Sequence, residues 1–115
     1  MKDKTCRDLL IFRKTTKSLE LRFKQNEIPR DISGWTIYFT AKKSMEDPDV
    51  EAVITKDITS HLDAENGKTL IELDTDDTDL QGSYSYDIKY KDIAGNAGIL
   101  FHGRILFREP VTTRG

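Results

Sequence analysis

Four carboxylates crowd one short stretch, Asp74, Asp76, Asp77 and Asp79. Carboxylate oxygens at close spacing are what a calcium ion takes up, because this hard cation binds about six to eight oxygens. The stretch opens like a calcium-binding loop. An EF-hand, however, needs Gly at its sixth position for a sharp turn and Glu at its twelfth to clamp the ion. Here those positions hold Asp79 and Ser85. The cluster therefore reads as a solvated connection in which Asp74 or Thr75 caps one helical turn, and no metal is expected there.

The other reactive residue types are sparse. His61 and His102 are the only histidines, far apart in sequence, and neither has a second ligand type at metal spacing. A catalytic histidine needs an oriented partner, and none is legible, so both are assigned structural or surface roles. Cys6 is the only cysteine. A nucleophilic thiolate needs a stabilising neighbour. Arg7 is adjacent, but in a chain that is 33% charged, adjacency carries little information. A single cysteine also allows no intramolecular disulfide, so the fold does not depend on an oxidising compartment. Tyr84, Tyr86 and Tyr90 could stack sugars or bases, but their spacing of two places them on the same face as Ile88, which favours a core. The basic pairs Arg13-Lys14 and Lys42-Lys43 are balanced by nearby acids. With a net charge of −2, there is no electrostatic case for nucleic acid or an anionic membrane as a partner. No phosphate-binding glycine loop, Gly-x-Ser-x-Gly or paired-carboxylate arrangement is present. No catalytic residue, cofactor or metal is assigned, and the chain is not expected to be an enzyme.

What positions these residues is a run of strands. Ser33 to Lys42 holds the only tryptophan, and from Trp35 it alternates: Trp35, Ile37, Phe39 and Ala41 against Thr36, Tyr38, Thr40 and Lys42. Such alternation marks a half-buried strand. Residues 17–25 alternate likewise, with Leu19, Leu21 and Phe23 inward, as do residues 83–90. Residues 7–15 read as a first strand of ambiguous facing, 51–57 and 58–63 as two short strands, 68–73 as another, and 97–108 as a long last strand. Asn26 to Gly34 reads as a loop, Asp47-Pro48-Asp49 as a turn, and Asn66-Gly67 as the hairpin turn joining 58–63 to 68–73. Seven or eight strands with no helical period imply an all-β, Greek-key sandwich. The 115 residues fit one domain spanning 1–115, with a short flexible arm (1–8) and tail (110–115). No secretory signal and no apolar run of transmembrane length is seen. The expected core is Leu19, Leu21, Phe23, Trp35, Ile37, Phe39, Ile54, Ile71, Leu73, Tyr84, Tyr86, Ile88, Ile105 and Phe107.

Two resemblances add to this. Leu80 to Tyr86 resembles the corner before strand F of immunoglobulin-like domains, with Tyr84 as the corner tyrosine and Tyr86 in place of the second disulfide cysteine. Over roughly residues 10–110, five segments in order resemble the N-terminal domain family of phage baseplate upper proteins and related small prophage tail proteins. They are Ser18–Phe23, Asp31–Lys43, Glu46–Asp49, Leu73–Leu80 and Gly82–Tyr90, followed by the Asp92–Asn96 turn. The resemblance implies an immunoglobulin-like fold and a non-catalytic structural role in a phage tail or baseplate, here as a small stand-alone protein. The implied partners are other tail or baseplate proteins and a possible homo-oligomer, and the implied location is the virion. The alternative is a carbohydrate-binding or cell-surface adhesion module on the same fold, for which Tyr38 is the one outward-facing aromatic candidate.

Overall fold

The computed structural model describes residues 6–112 and 114; residues 1–5 of the arm, and 113 and 115 of the tail, lie outside the described residues. The strands are β1 (Leu9–Phe12), β2 (Lys17–Arg22), β3 (Lys24–Gln25), β4 (Ile28–Pro29), β5 (Thr36–Lys42), β6 (Ile54–Ile58), β7 (Lys68–Leu73), β8 (Gly82–Lys91) and β9 (Ala97–Arg108). One sheet runs β1-β9-β8-β5-β6, a second pairs β2 with β7, and β3 and β4 form a small hairpin. Every pairing is antiparallel except β1 with β9. A β2–β7 pair facing a β9-β8-β5 sheet, with β6 as an added edge, is the layout of an immunoglobulin-like sandwich. The fold is all-β, as the alternating pattern implied.

Alternation becomes two faces. Ile37, Phe39 and Ala41 of β5 are buried, and Thr36, Tyr38, Thr40 and Lys42 are only partly covered. In β8, Tyr84, Tyr86 and Ile88 turn inward, and Ile105 and Phe107 of β9 meet them. Ile71 and Leu73 close the core from β7. Trp35 lies just before β5, stacked on Tyr90 at 5.1 Å and edge-on to Phe23 at 5.5 Å. The tyrosine face is thus core rather than a stacking platform.

Three expectations change. Leu19, Leu21 and Phe23 are half-buried rather than fully buried, because the second layer is only two strands wide and leaves their flank open. Ile11 and Ile32 are fully buried instead; Ile11 lies in the run of ambiguous facing, and Ile32 in a segment read as loop. Residues 58–63 form no second strand past Ile58, and Asn66-Gly67 joins no hairpin between them and β7. Residues Ala64–Asn66 make a short 3-10 turn closed by Gly67 at φ 71°, with Asp63 and Lys68 in one isolated bridge. The reason lies in tertiary pairing: β6 pairs with β5 and β7 with β2, so the chain must cross between sheets here rather than fold back. Two successive positive φ angles occur instead at Asn26 (52°) and Glu27 (65°), joining β3 to β4, which is the backbone of a type I′ hairpin turn.

Candidate interaction surface

The acidic stretch is built into the frame. The Asp74 and Asp77 carboxylates each accept the other's backbone N–H, at 2.8 and 2.9 Å, and the Thr78 N–H reaches the Asp74 carbonyl. This is a single capped turn, as the sequence suggested. Thr78 is fully buried. Its hydroxyl donates to the Thr15 carbonyl at 2.6 Å and accepts from the Thr15 N–H at 3.0 Å, which ties the loop to the β1–β2 turn. Outward from that anchor, Asp79 pairs with Arg13 at 2.7 Å and Asp77 with Lys56 at 2.8 Å. Arg13 also reaches Glu109 at 3.0 Å. Among the described residues no three His, Cys, Asp or Glu side chains are grouped to hold a metal ion.

Lys56 explains the Asp77 pair. In the β5–β6 register it stands opposite Phe39, so an ammonium on the inner side of an edge strand needs an anion. An inward charge on an edge strand also discourages further strand pairing. Burial pushes the Asp77 carboxyl up, but the Lys56 ammonium and the Asp74 N–H outweigh it and leave the group below the usual carboxylate range. A folded pKa below the unfolded one gives stability that is present above the unfolded value and lost as the pH falls through the folded one. Asp77→Ala is expected to cost about 1–2 kcal/mol at neutral pH, through the lost cap and ion pair. In urea titrations at a series of pH values, that cost should shrink below about pH 4, where an unperturbed carboxylate protonates.

The histidines separate in role. His61 is half-buried: Nδ1 meets the Thr69 hydroxyl at 2.8 Å and Nε2 meets the Trp35 carbonyl at 2.8 Å. A carbonyl only accepts, so Nε2 carries the proton and, in the neutral ring, Nδ1 accepts from Thr69. His61 thus links the approach to β5 with β7 in the other layer. His102 lies on the outer face of β9, opposite Asp87 and bridged to Cys6. Cys6 is exposed, and Arg7 beside it sets its guanidinium over the Phe101 ring at 5.1 Å. At the corner, Tyr84 is edge-on to Phe107 at 5.5 Å with Lys43 over its other side at 4.7 Å. The hydroxyl that bonds to a backbone is that of Tyr86, donating to the Arg7 carbonyl at 2.5 Å.

The outer face of the five-stranded sheet is the broadest concave surface, lined by Tyr38, Thr40, Lys42, Asp87, Lys89 and His102 among others. Register orders it into rows: Asp87 lies between Thr40 and His102, and Lys89 between Tyr38 and Ile99. Burial raises the Asp87 carboxyl above the usual range, opposed by Lys42, Lys89 and His102 and reinforced by Asp49. Arg104 reaches across to the Ser83 and Ser85 hydroxyls at 2.9 and 3.2 Å. Toward β1 the face turns apolar, where Leu10, Phe12 and Leu106 are exposed. Composition and motif searching could not find this surface, since its residues come from four strands. The only signal was the run Leu9 to Phe12, too apolar for one buried face. These side chains offer charge, hydroxyls and an apolar strip, which suit contact with another protein.

Fold and surface together define an immunoglobulin-like sandwich of the binding rather than the pocket type. No family model matches the chain, and no curated protein matches it in sequence. Among solved structures, it is similar to the N-terminal domain of phage TP901-1 ORF48, with a TM-score of 0.52 and 12% identity, covering 88% of this chain and 84% of that one. At that identity the likeness is one of fold. No helix among the described residues is long and apolar enough to cross a membrane.

Proposed function

We propose that the protein is a non-catalytic structural module of a phage or prophage tail, working by protein–protein contact within the baseplate or tail tip. The observation that carries this reading is the shared fold with a phage protein's N-terminal domain along nearly the whole length of both chains. The sequence resemblance to baseplate upper proteins points the same way. The partners are other tail or baseplate proteins, and the location is the virion. The mechanism is burial of the outer sheet face and strand edges against neighbours. Repetition around a symmetric tail raises the effective concentration, so individually weak contacts suffice.

The test is to induce and purify tail particles from the strain that carries the gene, then label them with an antibody to this chain. The protein should be retained in the particle fraction after high-salt washing, and electron microscopy should show label at the distal end of the tail. A chain found only in the soluble lysate would overturn the reading.

A further inference from the structure

The sandwich has one strand edge that is left without protection. Edge strands offer unpaired backbone N–H and C=O groups, and proteins blunt them with inward charges, proline or bulges. Strand β6 carries the inward Lys56 held by Asp77, and β4 carries Pro29. Strand β1 has none of these. It pairs with β9 on one side, and among the described residues no strand pairs with its other side.

The parallel ladder fixes which groups face outward. The Arg7 N–H bonds to the His102 carbonyl and the Arg13 N–H to the Arg108 carbonyl. Residues alternate along a strand, so the odd-numbered residues from Arg7 to Arg13 face β9 and the even-numbered ones face the open edge. Those even residues include Leu10 and Phe12. Their side chains stand 49% and 46% exposed, and Leu106, opposite Leu10 on β9, is 44% exposed. Open backbone groups and an apolar strip therefore coincide at one edge, and the buried Ile11 between them holds the strand in register with the core.

We propose that this edge binds the same edge of a second copy of the chain, antiparallel about a two-fold axis at Ile11. Self-complementarity selects a second copy over another partner. With Ile11 facing its twin, Leu10 lies opposite Phe12 of the second copy and Phe12 opposite its Leu10. Asp8 falls beside Lys14 of the second copy, and Lys14 beside its Asp8. Each apolar residue thus meets an apolar residue, and each charge meets its opposite. The open backbone groups of Leu10 and Phe12 are the ones an antiparallel pair exchanges. The two five-stranded sheets become one continuous sheet, with Leu10, Phe12 and Leu106 of both copies in a shared strip. A two-fold contact of this kind is isologous and closes at the dimer. It rests on the strand edge itself and stands whether or not the protein belongs to a phage tail.

The contact is small beside the ~1,200 Å² at which stable interfaces begin, so a weak dimer is expected. Sedimentation equilibrium of the full chain should show mass rising from monomer toward dimer across the micromolar range. Leu10→Lys and Phe12→Glu each replace an exposed side chain, so circular dichroism and melting temperature should hold. Because the axis applies each change twice, either should weaken the dimer by about tenfold or more. In the double variant, Lys at 10 faces Glu at 12 of the second copy, and dimerisation should recover. A chain that stays monomeric up to about 1 mM overturns the proposal. So does a wild-type dimer that survives both single changes, or one that the double variant fails to restore.

Discussion

Trp35→Ala lowers the stability of the domain by about 3–5 kcal/mol, the range for removing a buried tryptophan from a core. The side chain is 8% exposed, and its surroundings explain why the site cannot collapse around the loss. Phe23 approaches from just beyond β2 and Tyr90 from β8, so the indole fills space between the two layers. The Arg30 guanidinium covers the ring at 5.2 Å, a cation–π contact that also shields it from water. With no disulfide available to a chain with one cysteine, this packing does what a cross-sheet bridge does in antibody domains. Trp35→Phe keeps an aromatic ring and should cost clearly less. The measurement is urea unfolding followed by circular dichroism, with the slope checked for constancy between variants. A near-neutral Trp35→Ala would mean that the indole does not bridge the layers.

The same region shows what a sequence can and cannot reveal. Faces were legible because alternation is local: Ile37, Phe39, Tyr84, Tyr86 and Ile88 each announce their side through their neighbours two residues away. Pairing was not legible, because it is decided elsewhere. Asn66-Gly67 has the local chemistry of a hairpin, yet β6 and β7 belong to different sheets, so the dipeptide closes a crossing turn. The hairpin backbone falls instead on Asn26-Glu27, where glutamate is a poor guide to positive φ. The acidic cluster was legible as non-metal from its spacing. Its actual partners, Arg13 for Asp79 and Lys56 for Asp77, lie far away in the chain. The interaction surface was the least legible part. Leu10, Leu106 and Ser83 come from three strands and become neighbours only through register. A run such as Leu9 to Phe12 gives half the signal, by carrying more apolar residues than one buried face can use.

His61→Ala should cost about 2–3 kcal/mol, more than a surface histidine would. Thr69 is fully buried, and its hydroxyl and the Trp35 carbonyl both lose their partner when the ring is removed. A buried polar group left unsatisfied costs about 1–3 kcal/mol. The carbonyl lies toward a groove lined by Lys56, Ile58, His61 and Leu70, so water can replace one bond in part; the Thr69 hydroxyl, closed in by the core, is the costlier loss. That asymmetry makes a double-mutant cycle decisive. Thr69→Val alone removes the hydroxyl and leaves Nδ1 able to find solvent, so it should cost about 1 kcal/mol. Combined with His61→Ala, it should add almost nothing, because the orphaned hydroxyl is gone. The expected coupling is about 1 kcal/mol, within the range for residues in direct contact. Strict additivity would show that the two side chains do not share a bond. Sub-additivity would establish His61 as the polar counterpart of Trp35: one residue fills the space between the layers, while the other fixes the backbone that presents it.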